Sequence, residues 1–429
     1  MSQQKQNGNI VAIIMMILLF GMISFVTNLA APMGVVMKSQ FDLSNFMGLL
    51  GNAANFIAYA VMGIPGGMLL QKYGYKKTAL IAVAVGFTGI LIQFCSGHVS
   101  ESIAFGVYLL GAFVAGFSMC LLNTVVNPML NTLGGGGNKG NQLIQVGGSF
   151  NSVLATLTPA LVGIMIGETV SPKISDVFPL LYIMMGVFAL IFFVLLPISI
   201  PEPHAERSSE KLGDLMAGAL KFRHFILGAI GIFVYVGVEV GTPGMVILWL
   251  SDASASSVGA TTAGFVAGTY WFLMLIGRLV GASIGNKVSA RNMLTVGSLV
   301  ALILVSLAIF SPTTTQVSMP AFDVGELSFI LAKVPINAMF LVLVGLCTSI
   351  MWGGIFNLAV EGLGKFVAVA SGLFMVMVCG GGIIPALQGW VADLAGYITS
   401  YWVIFAGFAY LLFYALIGSK NVNKDIKVD

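Results

Sequence analysis

Residues 233–250 read FVYVGVEVGTPGMVILWL, an apolar run long enough to cross a bilayer that nevertheless carries one acid, Glu239, and the sequence Gly241-Thr242-Pro243-Gly244. A carboxylate at membrane depth costs about 3 kcal/mol or more unless water or a partner reaches it. Pro243 removes a backbone donor and the glycines loosen the turn around it, so the pattern predicts a helix that breaks and bends at 241–244. Acid, break and small residues together predict a wet cavity beside this helix. A buried structural acid on a kinked packing helix is the plainer alternative.

The rest of the chain supports a membrane setting. Hydrophobic residues make up 58% of the 429 and charged residues 8%, too few to cover a water-soluble surface. Apolar segments long enough to span recur twelve times, from 10–37 to 396–418. The first follows a polar MSQQKQNGN, runs past the length of a signal-peptide core and lacks a clear cleavage site, so it reads as part of the fold. A net charge of +3 gives no case for nucleic acid as a partner. Its placement is more telling: with both ends cytoplasmic, most Lys and Arg fall on that side and only Lys38, Lys173 and Lys333 on the other. Cys95, Cys120, Cys347 and Cys379 lack metal-type spacing and read as small core residues.

One connector, IPEPHAERSSEKLGDLMAGALKFRH, is long, charged and rich in helix-breaking residues. It divides the chain into a six-helix bundle at 1–200, a cytoplasmic linker at 201–222 and a second bundle at 223–429. Landmarks recur across it in order: Gly63/Gly67 with Gly277/Gly281, Asn127 with Asn357, and Pro159-Ala-Leu-Val-Gly163 with Pro385-Ala-Leu-Gln-Gly389. Such spacing points to a duplicated half. Two related halves around a midplane site form the layout of a secondary transporter.

Polar residues inside the spans are mostly neutral amides. Asn123 and Asn127 share a helix face beside Pro128, and the next helix adds Gln142, Gln145, Ser149, Asn151 and Ser152. Tyr270, Trp271, Trp352 and Asn357 follow in the second half. Amides donate and accept, and aromatic faces cover C–H surface, a combination suited to sugar hydroxyls; the same amides could equally serve as helix–helix glue. Arg278, within a stripe of small residues, is expected to snorkel toward the cytoplasm rather than pair with a carboxylate. Gly135-Gly136-Gly137-Asn138-Lys139-Gly140 formally fits GxGxxG but follows no strand, and reads as a turn. No nucleophile–base pair, zinc motif or phosphate-binding loop is visible, so an enzyme is not expected.

The residues resemble the major facilitator superfamily, and within it the fucose:proton symporter family, especially its bacterial glucose/galactose transporters. Gly63 to Lys77, with Lys72, Lys76 and Lys77, resembles the gating loop after the superfamily's second helix, though Gln71-Lys72 stands where an acid is usual. Tyr235-Val-Gly-Val-Glu239, Tyr270-Trp271 with Ile276 to Gly281, Asn127-Pro128, Phe150-Asn151-Ser152, Phe356 to Lys365 and Gly380 to Pro385 resemble that branch's helices 7, 8, 4, 5, 10 and 11. Two departures stand out. Asn28-Leu29 is followed by Ala30-Ala31 where the family usually carries an Asn-Asp pair, and Asn123 stands where fucose symporters place an acid.

The resemblance implies an all-α membrane protein with twelve transmembrane helices in two pseudo-symmetric bundles. It implies alternating-access import of a neutral hexose such as glucose, galactose or fucose. The expected substrate-binding set is Asn28, Asn123, Asn127, Gln145, Asn151, Tyr270, Trp352 and Asn357, with Glu239 as ion-coupling acid and Gly241, Pro243 and Gly244 as gating residues. H⁺ and Na⁺ both remain open as the coupling ion, as does uniport, and no other cofactor is expected. Amino-sugar or nucleoside transport, or a non-transporting sugar sensor, are the rival readings. A monomer in the bacterial inner membrane, in contact with lipid, completes the expectation.

Overall fold

The computed structural model describes residues 3–133, 137–167, 171–198, 200, 212–256, 258–284, 288–323, 326 and 328–423. Among the described residues, twelve helices are long and apolar enough to cross a membrane. They are α1 (Ile10–Phe41), α2 (Leu50–Leu70), α3 (Lys72–His98), α4 (Glu101–Leu130), α5 (Val146–Ile166) and α6 (Ile174–Leu195), then α7 (Arg223–Ser251), α8 (Ala260–Gly281), α9 (Ala290–Phe310), α10 (Ile336–Val360), α11 (Gly372–Ala395) and α12 (Tyr401–Gly418). The chain is a multi-pass membrane protein. Twelve crossings put the start of α1 and the end of α12 on one face, the terminal face; the opposite side is the far face.

Burial separates the helices by role. α6 exposes Tyr182, Ile183, Leu190 and Phe193, and α9 exposes Val296, Leu299, Ile303 and Phe310, so these two carry large apolar surface toward lipid. In α7, by contrast, every residue from Tyr235 to Leu250 except Glu239 is buried. It is the central helix of the second half, packed on α10, α11 and α12.

Duplication is visible in how the halves touch. Gly163 on α5 meets the backbone oxygens of Ala260 and Thr261 at the start of α8; a Cβ there would lie 3.1 Å from each. Gly389 on α11 meets Asn45 and Phe46, just before α2, in the same way, with a Cβ 3.1 Å from the Asn45 oxygen. The Pro-x-x-x-Gly repeat thus marks two equivalent seams, α5 against α8 and α11 against α2, where absent side chains let backbones approach. Gly63 and Gly277 do not play matching parts: Gly63 abuts Val376 on α11, whereas Gly277 abuts Ser349 and Leu346 on α10.

One sequence expectation needs correction, and two connections carry regular structure of their own. Pro243 does not break α7, which keeps helical backbone from Arg223 to Ser251. Tertiary packing holds the turn: Thr242 Oγ1 donates to Val238 O at 2.7 Å, and Tyr401 Oη donates to Thr242 O at 2.9 Å. The connection from α9 to α10 forms a hairpin, β1 (Gln316–Asp323) antiparallel to β2 (Ser328–Pro335), and both segments alternate inward and outward side chains. Finally, part of the expected linker is helical: Leu212–Ala219 forms a short helix whose Gly218 lies against the Phe366 ring, while 201–211 fall outside the described residues.

Gly74, with φ of 77° near the start of α3, turns the chain in a conformation that a side chain would strain. Just after it, Lys76 Nζ donates to Leu196 O at 2.7 Å, tying this turn to the end of α6. Lys72 sits over the Tyr73 ring at 5.2 Å, and Lys77 is exposed.

Candidate functional site

Between the halves lies a cavity of about 270 Å³, of a size for one small solute. The first half lines it with Phe20, Ser24, Thr27 and Asn28 of α1, Phe56 and Tyr59 of α2, Asn123 and Asn127 of α4, and Asn151 and Ser152 of α5. The second half contributes Tyr235 and Glu239 of α7, Trp271 and Arg278 of α8, and Ser349, Trp352 and Gly353 of α10.

Hydrogen bonds within the wall fix which amide atoms remain for a ligand. Asn28 Nδ2 donates to Ser24 O at 2.9 Å and Ser24 Oγ at 3.0 Å, so its carbonyl oxygen is what it offers the cavity. Asn123 Nδ2 donates to Tyr59 Oη at 2.8 Å. Asn127 makes only long bonds to Asn123, at 3.3 and 3.4 Å, and is the least committed of the four. Asn151 Nδ2 donates to Phe20 O at 2.9 Å, pinning α5 to α1.

Glu239 faces this space with its side chain 14% exposed. Its Oε1 accepts from Tyr235 Oη at 2.9 Å and lies 3.8 Å from Arg278 Nη2. The same guanidinium reaches the other half, where Nη1 donates to Ser152 Oγ at 2.8 Å and to Gly148 O at 3.2 Å. Arg278 therefore does not snorkel. One and two helical turns separate it from Met274 and Trp271, so it shares their inward face, and the acid opposite supplies the charge that lipid headgroups would otherwise provide.

Two other expected residues stand elsewhere, and a third is not described. Tyr270 is fully buried behind the wall, its hydroxyl 3.0 Å from Thr348 Oγ1, and its neighbour Trp271 takes the cavity position. Asn357 is exposed one turn beyond Gly353 toward the terminal face and does not line the cavity. Gln145 lies outside the residues whose side chains are described. Gly241, Pro243 and Gly244 are buried: Gly241 abuts Gln388 and Ile404, and Gly244 faces Ala31 on α1. Tyr59, Tyr235, Ser24, Thr27, Trp271, Arg278 and Ser349 join the site beyond the expected set.

Toward the far face the halves are fastened together. Lys38 Nζ donates to Asp252 Oδ2 at 2.9 Å, to Asn45 Oδ1 at 2.9 Å and to Tyr397 Oη at 2.6 Å; Tyr397 Oη in turn donates to Asp252 Oδ2 at 2.6 Å. Asp393 on α11 accepts from the backbone N–H groups of Asn45 and Phe46 at 2.7 and 2.9 Å, capping the start of the α2 region from the other half. Burial would raise the Asp252 carboxyl, but hydrogen bonds from Ser254, Tyr397 and Lys38 outweigh it and hold the group well below the usual carboxylate range. Deeper along the same seams, Thr261 Oγ1 donates to Gly163 O at 3.1 Å and Asn52 Nδ2 to Gly381 O at 2.7 Å.

Comparison with known proteins agrees with this architecture. A family model described as Major Facilitator Superfamily matches residues 13–385. A glucose/galactose transporter of Brucella abortus is 30% identical, the match covering 98% of this chain and 96% of that one. A putative glucose/galactose transporter of Helicobacter pylori is 27% identical, covering 97% and 99%. The crystal structure of the E. coli fucose:proton symporter superposes with a TM-score of 0.68 at 18% identity, over 96% of this chain and all of that one, a likeness of fold.

Proposed function

Because the chain belongs to the Major Facilitator Superfamily, we propose that it is a secondary transporter importing a neutral hexose by alternating access. The observation that carries the reading is the cavity between the halves, walled among the described residues by four asparagines and two indoles with a single carboxylate facing in. Amide and tyrosine groups bind ring hydroxyls, and Trp271 and Trp352 cover the apolar C–H faces. Glu239 is the cation-coupling acid, taking up H⁺, or Na⁺ with neighbouring oxygens, as the cavity changes sides.

The protein sits in the bacterial inner membrane with both termini cytoplasmic, the orientation that Lys and Arg placement favours. Residues 1–200 and 223–429 are the moving bundles and 201–222 their linker. In that orientation the far face is the outer one, and the Lys38–Asp252 network belongs to a state closed to the outside. The unit of function is a monomer.

The test is uptake of a labelled hexose panel into proteoliposomes, with proton and sodium gradients imposed separately. Time-dependent accumulation of one hexose under one of the two gradients is the expected result. Binding without accumulation would make the protein a sensor, and transport confined to nucleosides would displace the hexose. E239Q is expected to keep counterflow exchange and lose uphill accumulation; unchanged accumulation would remove Glu239 as the coupling group.

A further inference from the structure

Arg278 has two kinds of partner at once: an acid of its own half and neutral oxygens of the other. Its Nη2 lies 3.8 Å from Glu239 Oε1, a Coulombic contact rather than a tight hydrogen bond, while Nη1 is committed to Ser152 Oγ and Gly148 O on α5. Side-chain exposures of 22% for Arg278 and 14% for Glu239 place both at the cavity surface. The other groups around the pair are Tyr235, bonded to Glu239, and Tyr270, reached through Thr348; from α5 the Ser152 hydroxyl and the Gly148 carbonyl accept from the guanidinium.

We infer that Arg278 exchanges partners during transport, holding the Glu239 carboxylate in the empty protein and a substrate hydroxyl oxygen once Glu239 has taken the coupling cation. The inference rests on Glu239 being the coupling acid. With Glu239 ionised, the cavity holds one positive and one negative charge, and closing around the pair leaves no uncompensated ion. When a proton from the aqueous cavity adds to a Glu239 oxygen, the guanidinium keeps its charge and loses its counterion. Closing over a lone guanidinium is strongly disfavoured. A bound sugar supplies lone pairs that Arg278 can accept as partners, and its planar fork can meet two adjacent hydroxyl oxygens at once. The loaded carrier therefore closes, and the empty cation-bearing carrier does not. This requirement is what prevents cation leak without sugar.

The experiment compares wild type, R278Q, R278K, E239Q and E239Q/R278Q in proteoliposomes, reading sugar accumulation, counterflow exchange and cation flux without sugar. R278Q is expected to leak cation in the absence of sugar and to lose accumulation, because its cation-loaded cavity is no longer charged. E239Q/R278Q should exchange sugar at least as well as E239Q, since removing both charges leaves none unpaired, and should not leak. R278K keeps the charge but not the fork, so it should stay coupled with a KM raised roughly tenfold. R278Q that accumulates sugar like wild type without leak, beside an E239Q that does not accumulate, would overturn the inference and leave the coupling role of Glu239 standing. Full accumulation by E239Q would remove both. Should R278Q fail to fold, R278K decides: wild-type KM and coupling in that variant would rule out partner exchange through the fork.

Discussion

Lys38 Nζ, on α1 near the far face, lies 2.9 Å from Asp252 Oδ2 just past the end of α7, and this ion pair joins the two halves. Side-chain exposures of 24% and 20% make it partly screened, so the bare pair contributes about 1 kcal/mol to the closed state. Tyr397 and Asn45 complete the network, and losing Lys38 leaves Asp252 facing Tyr397 without its cation. K38Q and D252N should each shift the population toward a far-face-open state by roughly tenfold. A cysteine at Ser349, in a background lacking the four native cysteines, should then react faster with an impermeant thiol reagent from the far side. Unchanged reactivity in both variants would mean that the seams alone hold this face shut.

The pH behaviour of that network follows from Asp252. A carboxyl held below its unfolded value contributes closure that is fully present above the ordinary carboxylate range and is lost only as pH falls through the lowered value. The contribution of this network to far-face closure, read in an E239Q background where Glu239 cannot titrate, should therefore be flat between about pH 5 and pH 8, on the scale of ordinary carboxylate titration. The labelling assay repeated across that window checks this. A pH-dependent uptake rate accompanied by constant far-face reactivity would place the titrating group elsewhere.

Asn127 and Asn151 provide a paired test of what the cavity amides do. Asn127 is bonded only weakly within the wall, so N127A should raise the KM for sugar roughly tenfold with little change in melting temperature. Asn151 ties α5 to the Phe20 carbonyl at 2.9 Å, so N151A should cost about 1 kcal/mol of stability as well as affinity. Transport kinetics together with thermal unfolding in detergent separate the two outcomes. Equal effects on both measurements would mean that neither amide is specialised.

The membrane class, the span count and Glu239 at the cavity were legible because hydropathy and a lone intramembrane acid are strong one-dimensional signals. The duplication was legible in Pro159–Gly163 and Pro385–Gly389, since a backbone-to-backbone seam needs the same small residue at the same step in both halves. Rotational position was less so. Tyr270 and Trp271 are adjacent, and only the spacing to Met274 and Arg278 tells which faces inward; that phase favours Trp271. Arg278 was misplaced for a related reason, since its counter-charge lies 39 residues away on α7 and pairing at that range leaves no local trace. The far-face network was equally hidden: Lys38, Asn45, Asp252, Tyr397 and Asp393 come from three separate stretches that only the closed packing brings together.

Pro243 supplies the last test. α7 stays helical through it, yet a proline has no N–H to give the carbonyl four residues earlier, and that carbonyl belongs to Glu239. The backbone beside Glu239 therefore lacks one helical bond, and bending there on opening breaks one fewer. P243A would restore that donor and stiffen the turn, which should slow opening and lower kcat roughly tenfold while leaving KM unchanged. Gly244 offers a control, because a Cβ there would meet Ala31 at an ordinary 3.6 Å and the closed state should accept G244A. Gly241 does not offer that room, since a Cβ would approach Gln388 Oε1 to 2.8 Å; G241A should lower the melting temperature. A P243A protein with wild-type kcat would show that α7 moves as a rigid rod and that the bend, if any, lies in another helix.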